Sequence, residues 1–341
     1  MKYAVFAFSH QGLTTAERVR SAVAGPEDSC RIYAPERLAE GAVLPIRPPL
    51  AAFAGPVFRE ADALIFVGAC GIAVRGIAPH IQDKQTDPAV VSVDELAQFV
   101  IPLLSGHIGG ANALAVRLAE ALGAQAAVST ATDINGRFSV DAWASAQGLF
   151  IDDIKAAKAV SAAILEGPVL LASDFPVAGE LPSGVMPGES GPVGICVSWR
   201  RRAPFETTLL LAPKVIRLGI GCRRGTSWSV IGALVDRVLE ENGIHPEAVK
   251  SAATIDLKKD EAGLLAFCQK RGWPVHFYSS KQLMAVEGDF TPSDFVKKTT
   301  GVDNVCERAA MLGGGELIVK KTAQDGVTVA AAVEHWEVRF G

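Results

Sequence analysis

The chain has 341 residues, of which 49% are hydrophobic and 21% charged, with 33 glycines and 19 prolines. Such a composition fills a sizeable core and excludes wholesale disorder, and the length suits two or three domains. The net charge of −4 lacks the basic surplus of a general nucleic-acid binder, so no nucleic acid is expected as a partner.

Hydrophobic period and glycine punctuation give the elements in chain order. Tyr3–Ser9 reads as a first strand, because the opening residues lack the cationic cluster and cleavage site of a secretory signal. A helix is expected over Thr14–Val23, with strands over Ala63–Val67, Val91–Val93 and Phe99–Leu104. Ala111–Leu122 reads as a helix stopped by Gly123, and Ala126–Ser129 as a further strand. Alternating strand, turn and helix is the grammar of a parallel α/β sheet. Residues 146–213 are less regular. They offer one helix over Asp153–Leu165, short strands at Val169–Ala172 and Thr208–Leu211, and dense proline and glycine from Pro176 to Pro192. From Lys214 the pattern restarts with strand Ile216–Gly221, helix Ser227–Glu241, strand Ala252–Leu257, helix Glu261–Arg271 and strand Val275–Tyr278. A helix over Asn304–Met311 and strands Leu317–Lys320 and Val327–Val333 close the chain. The expected architecture is two three-layer α/β domains, 1–145 and 214–341, with largely parallel or mixed sheets. An irregular Pro/Gly-rich middle region, 146–213, joins them.

The longest apolar run, Ala63–Val74, holds two glycines and ends at Arg75. A spanning helix needs about twenty apolar residues, so no membrane partner is expected. Six scattered cysteines (30, 70, 196, 222, 268, 306) with no C-x-x-C pair read as reduced thiols of a cytoplasmic protein. The histidines show no ligand spacing, and no metal site is expected.

Four strand ends carry glycine clusters, at Gly68–Gly71, Ser105–Gly110, Gly219–Gly225 and Gly313–Gly315. Beyond the carboxyl ends of parallel strands, helix N-termini offer N–H groups to anions, which makes Gly68, Gly71, Gly109, Gly110 and Gly221 candidate ligand contacts. Glycines at such turns also occur only for their backbone freedom, and both readings stand. Gly71–Gly76 has P-loop spacing, but Ile77-Ala78 replace the Lys and Ser/Thr that would grip phosphate and magnesium. Gly219-Ile220-Gly221 starts like a dinucleotide fingerprint, yet the third glycine arrives one residue late, at Gly225. His107, between an apolar strand and a helix start, is a candidate acid–base group, with Ser105 two residues upstream and no nucleophile-elbow motif around it. Asp133, in Thr130–Arg137, is placed in the same cleft if successive strands end on one edge. Arg223 and Arg224 form a candidate carboxylate or phosphate clamp, and Arg75 a charge at a cleft mouth.

Five segments in order resemble a known family. They are Val67–Arg75 with Leu104–Asn112, then Thr130–Asp133, then Leu218–Gly225 with Cys306–Ala310. The resemblance is to the cobalt-precorrin-5A hydrolase family of anaerobic cobalamin biosynthesis, and it covers both α/β halves. It implies a hydrolase acting on a carbon–carbon bond. The family's reaction opens the ring A acetate δ-lactone of a cobalt-bearing tetrapyrrole and releases the two-carbon fragment as acetaldehyde. The cobalt comes with the substrate, and no further cofactor is expected. On this reading His107 is the base, assisted by Ser105 and Asp133. The N–H groups of Gly109 and Gly110 stabilise an oxyanion, and Arg75, Arg223 and Arg224 meet the substrate's carboxylates. A broad cleft between the two α/β modules is expected, along with transient contact with neighbouring pathway enzymes. Two alternatives stay open: a non-catalytic tetrapyrrole carrier, and an NAD(P)-dependent oxidoreductase using the Gly219 turn.

Overall fold

The computed structural model describes residues 1–23, 25–83, 86–107, 109–130 and 137–340. The chain divides into two compact units, Met1–Ser145 and Ala146–Gly341. The α/β class with mixed sheets is what the structure shows.

In the first unit, strands β1 (Lys2–Ala7), β2 (Ser29–Pro35), β3 (Leu44–Ile46), β4 (Ala63–Val67), β5 (Ala89–Val93), β6 (Phe99–Leu104) and β7 (Gln125–Ala126) form one sheet in the order β3-β2-β1-β4-β5-β6-β7. The central strands are buried on both faces, so they read as continuous apolar runs. Alternate residues part to the two sides. Val5, Ala7, Ile65 and Val67 pack with α1 (His10–Val23) and α4 (Ala111–Leu122). Phe6, Leu64 and Phe66 pack with α2 (Leu50–Glu60) and α3 (Cys70–Ile77). Phe6 stacks on Phe66 at 4.6 Å and on Tyr33 at 5.2 Å between ring centres. Each buried ring contributes roughly 2–3 kcal/mol through lost water contact.

Strands β1 to β5 are parallel, but β6 is antiparallel to β5, pairing Val93 with Val100 and Val90 with Leu104. The reversal is made at Asp94, whose carboxylate accepts the N–H groups of Leu96, Gln98 and Phe99 while its carbonyl accepts that of Ala97. Ala97 takes φ 55° to close the turn. The expectation that successive strands end on one edge therefore fails at β6. Its carboxyl end lies beside the amino ends of β4 and β5. At about 3.3 Å per residue, that places it roughly 15 Å from the edge where β4 ends.

The second unit holds two five-stranded sheets and a short two-stranded one. Residues 146–213, expected to be an irregular connector, carry an ordered sheet instead. Its strands are β8 (Phe150–Ile151), β9 (Val169–Ser173), β11 (Val185–Pro187), β12 (Val193–Val197) and β13 (Thr207–Ala212), in the order β11-β9-β12-β13-β8. Helix α6 (Ile154–Glu166) packs on it, capped by the Asp153 carboxylate. Apart from Pro187, which ends β11, the proline and glycine of 176–192 sit in its connections, with Gly179 and Gly184 at positive φ. The short β10 (Val177–Ala178) pairs with β19 (Val338–Arg339).

The remaining sheet runs β16 (Val275–Tyr278), β15 (Val249–Ile255), β14 (Ile216–Cys222), β18 (Val327–Val333), β17 (Glu316–Gln324). Helices α7 (Trp228–Glu241) and α8 (Ala262–Arg271) cover one face through Ile231, Val235, Leu264 and Phe267. Helix α11 (Val305–Met311) covers the other, and it comes close because the facing residues are small: Gly219, Ala330 and Ala332. A Cβ on Gly219 would lie 1.7 Å from the Cys306 carbonyl oxygen. The Cys306–Ala310 motif is thus a packing and anchoring device. Glu307, fully buried, accepts the Thr291 N–H (2.7 Å), the Thr291 hydroxyl (2.9 Å) and the Lys321 N–H (2.6 Å). Arg308 donates to both oxygens of Asp303 (2.7 and 3.1 Å) and to the Val286 carbonyl (2.7 Å), and lies over the Phe290 ring. Two short helices, α9 (Ser280–Met284) and α10 (Asp294–Thr300), lie on this tied-down stretch.

All six cysteines are free thiols. Burial pushes Cys30 and Cys306 up to about 11 and Cys196 and Cys268 up to about 12, and raises Cys222 as well. Among the described residues no helix is long and apolar enough to cross a membrane.

Two outcomes follow from the packing. Gly219→Ala forces α11 off the sheet and lowers stability by about 3 kcal/mol, read as the urea midpoint. Hydrogen bonds from Arg308 hold the Asp303 carboxyl below its ordinary 3.8. Its stabilising contribution is complete above that value and disappears as pH falls through the folded-state value. Asp303→Asn therefore destabilises the chain at pH 7, and its thermal-melt deficit against the parent narrows below pH 4.

Candidate functional site

The first unit separates residues that the sequence placed together. Gly68, Gly71 and Arg75 lie at the carboxyl edge of β4. Both backbone groups of Gly68 are engaged with β5: its N–H donates to the Val93 carbonyl (2.8 Å) and its carbonyl accepts from the Ser92 hydroxyl (3.2 Å). Gly71 opens α3 in empty space, and Arg75 is exposed in the last turn of that helix. Ser105, His107, Gly109 and Gly110 lie at the opposite edge, beyond the end of reversed β6.

That second edge is the more closely built. Ser105 takes φ 56°, a costly conformation for a residue with a side chain, and its hydroxyl is buried with no hydrogen-bond partner among the described residues. A Cβ on Gly109 would meet the Ser105 Cβ at 2.4 Å and the Ser105 carbonyl at 2.9 Å. Gly109 is therefore required by this close approach. The Gly110 N–H donates to the His107 carbonyl (3.0 Å), and the Ala111 and Asn112 N–H groups donate to Ser105 and Gly106 (3.1 and 2.9 Å). Gly110 is thus not available as an oxyanion donor, because the tight turn uses its N–H internally. After β7 the chain runs beside β6 toward the same edge, where the buried Asn112 amide donates to the Thr130 hydroxyl (3.0 Å). Thr130 does share an edge with His107, while Asp133 lies outside the described residues.

His107 is partly buried, with 21% of its side chain exposed. Its Nδ1 lies 3.2 and 3.3 Å from the two oxygens of Asp141. Asp141 opens α5 (Val140–Ala146), and its Oδ1 also accepts from the Ser139 hydroxyl (3.0 Å) and the Ala142 N–H (3.1 Å). The sequence carried no signal for Asp141, since 34 residues and an irregular stretch separate it from His107.

The second unit gathers Gly221, Arg223 and Arg224 at one cavity of about 820 Å³, beyond the carboxyl end of β14. Lys258 and Lys321, which the sequence reading missed, complete a cationic lining, and Leu257 and Val296 add apolar wall. Arg223 is exposed and has no ionic partner among the described residues. Arg224 meets Asp260 at 3.1 Å with both groups open to solvent, an attachment weak enough to exchange. The buried Glu261 sets the turn: it accepts the Gly225 N–H (2.8 Å) and the Lys258 ammonium (3.1 Å). Burial keeps the neighbouring Cys222 thiol protonated near neutrality. Another cavity of the unit, 870 Å³, is lined by charges of both signs, Asp174, Glu316, Glu334 and Glu337 together with Arg200 and Arg339. The dinucleotide alternative loses its turn here: Gly219 is occupied by the α11 backbone, and a Cβ on Gly221 would press on the Thr328 hydroxyl at 2.5 Å. Among the described residues no group of three or more His, Cys, Asp or Glu is placed to hold a metal.

These geometries separate two glycines in a melt. Gly109→Ala lowers Tm by several degrees through the clash with Ser105. Gly71→Ala, in open helical space, leaves Tm unchanged or slightly raised.

The comparisons with known proteins agree at both ends of the chain. The family model described as "Cobalamin synthesis G N-terminal" matches residues 52–133, and "Cobalamin synthesis G C-terminus" matches residues 216–332. The chain is 35% identical over 347 residues to the cobalt-precorrin-5A hydrolase of Salmonella typhimurium, covering 97% of each chain. It is 36% identical over 298 residues to the enzyme of the same name from Priestia megaterium, covering 80% of this chain and 79% of that one. An identity of this size from end to end places the two halves in one lineage, and the chain belongs to the cobalt-precorrin-5A hydrolase family.

Proposed function

We propose that the chain hydrolyses cobalt-precorrin-5A, opening the ring A acetate δ-lactone and releasing acetaldehyde to give cobalt-precorrin-5B. The end-to-end likeness to relatives named for that reaction carries this reading. Water adds to the lactone carbonyl, the acyl C–O bond breaks, and the ring-A acetate becomes a carboxylate. A base then takes the proton of the freed hydroxyethyl group. The C–C bond breaks, acetaldehyde leaves, and the electron pair passes into the conjugated macrocycle, which is reprotonated. The reaction as written runs on water and on the substrate's own electron sink, and the cobalt is part of the substrate.

His107 is the base in this scheme, because its imidazole is partly exposed and an unprotonated ring nitrogen is basic near neutrality. In the second unit, Arg223, Arg224, Lys258 and Lys321 fit the peripheral carboxylates of a tetrapyrrole, and the apolar wall fits its ring. The turn that holds Arg223 and Arg224 is fixed by Glu261, which accepts the Gly225 N–H. Ser105 stays in the candidate set as a buried hydroxyl beside the base.

The test is anaerobic incubation with cobalt-precorrin-5A and an acetaldehyde assay. The parent releases acetaldehyde. His107→Ala lowers kcat by about 10²–10⁴-fold with substrate still bound, and Arg223→Ala mainly raises KM. Release that survives His107→Ala removes the base assignment and keeps the hydrolase. Tight binding without release makes the chain a carrier, and neither binding nor release overturns the reading.

A further inference from the structure

We propose that Glu261 is a positioning residue for Lys258: anchored behind the cationic wall of the second unit's cavity, it holds the ammonium in place for a carboxylate of the tetrapyrrole. The inference rests on that cavity being where the substrate's carboxylates are received. Lys258 ends the short turn Asp256–Lys258 after β15, while Arg223 and Arg224 stand in the turn after β14. Residues of both turns line the cavity, whereas Glu261 does not. Its side chain is 4% exposed and lies between the two turns. Oε1 accepts the Gly225 N–H at 2.8 Å, and Oε2 accepts the Lys258 ammonium at 3.1 Å.

This placement is not that of a helix cap. Glu261 occupies the N-cap position of α8, yet its carboxylate makes no cap hydrogen bond to that helix. It reaches back to the other turn instead, and the two segments are pressed together: a Cβ on Gly263 would lie 1.9 Å from the Thr226 carbonyl oxygen. A carboxylate behind a polyanion site also lowers the positive potential that draws the ligand in. What it supplies in return is order. A free lysine samples many rotamers on its flexible stem, and a ligand that fixes it must overcome that entropy. Lys258 is 18% exposed and tied to a buried acceptor, so it is ordered before any ligand arrives. An ammonium has three donors, so one stays on Glu261 while another meets a ligand carboxylate.

Removing the Glu261 charge has two effects of opposite sign, so the direction of the change decides between them. Glu261→Gln keeps the volume and an acceptor for the Gly225 N–H but lacks the charge that holds Lys258. In the acetaldehyde assay with cobalt-precorrin-5A it raises KM by about 3- to 10-fold with kcat kept, the size set by one freed side chain. It does so although the chain becomes less acidic. In a Lys258→Met background the same substitution has no further effect, because the side chain it acts through is gone. Titration of the same variants with uroporphyrin, a stable tetrapyrrole polycarboxylate, repeats the comparison without the chemistry. Unchanged or tighter binding in Glu261→Gln overturns the proposal, and so does an equal loss with and without Lys258. A parent that binds uroporphyrin but releases no acetaldehyde overturns the hydrolase reading, and the titration still decides Glu261. A parent that binds neither tetrapyrrole overturns both.

Discussion

Three backbone N–H groups converge on the Asp94 carboxylate at the end of β5, and this turn decides where the first unit can do chemistry. Had the chain crossed over to a parallel sixth strand, Ser105–Gly110 would emerge beside Gly68 and Arg75, in the usual ligand crevice of an open α/β sheet. Asp94 instead folds the chain back on itself. The loop bearing His107 is delivered to the amino edge of β4 and β5, and the following helix and strand bring Asn112 and Thr130 to the same place. A hydrogen-bonded turn of five residues thus outweighs the general rule for parallel sheets, because it fixes strand direction before any ligand-binding geometry is set.

The fold was legible where apolar runs were long and clearly punctuated. Strands Ala63–Val67, Val275–Tyr278 and Val327–Val333 and helix Ala111–Leu122 lie where hydrophobic period and glycine placed them. At Asp153, Ser227 and Asn304 the expected helix start is the N-cap residue, whose side chain accepts a backbone N–H of the first turn. The middle sheet was legible only in part: β9 and β13 lie where short strands were expected, but β8, β11 and β12, of two to five residues among proline and glycine, carry the same local signal as a connector. What makes Val193–Val197 a strand is its pairing with both β9 and β13, a long-range fact. The direction of β6 was equally hidden, since Phe99–Leu104 has the same period whichever way it runs.

The candidate site was legible in its parts and not in its assembly. His107, Arg223 and Arg224 stand out as polar groups at strand ends. Their supporting partners do not: Asp141, Lys258, Glu261 and Lys321 come from other elements and carry no local motif. The Cys306–Ala310 segment shows the converse. As a motif it looks functional, yet Glu307 and Arg308 use their charges on internal carbonyl, hydroxyl and N–H groups, and so they hold the wall of a cavity instead of its ligand. Electrostatics follow the same division. The chain is acidic overall at −4, while Arg223, Arg224, Lys258 and Lys321 line one cavity, which favours a small polyanion over a polymer.

The free thiols have a consequence for handling the protein. Cys196, Cys268 and Cys306 are buried in the middle sheet, in α8 and in α11, and are held protonated well above neutral pH. A thiolate-directed alkylating reagent meets them only after the element around each has opened. The three cysteines therefore divide the second unit into separately readable zones. The order in which they become labelled in rising denaturant is a map of which layer loosens first, written into the native sequence without any introduced probe.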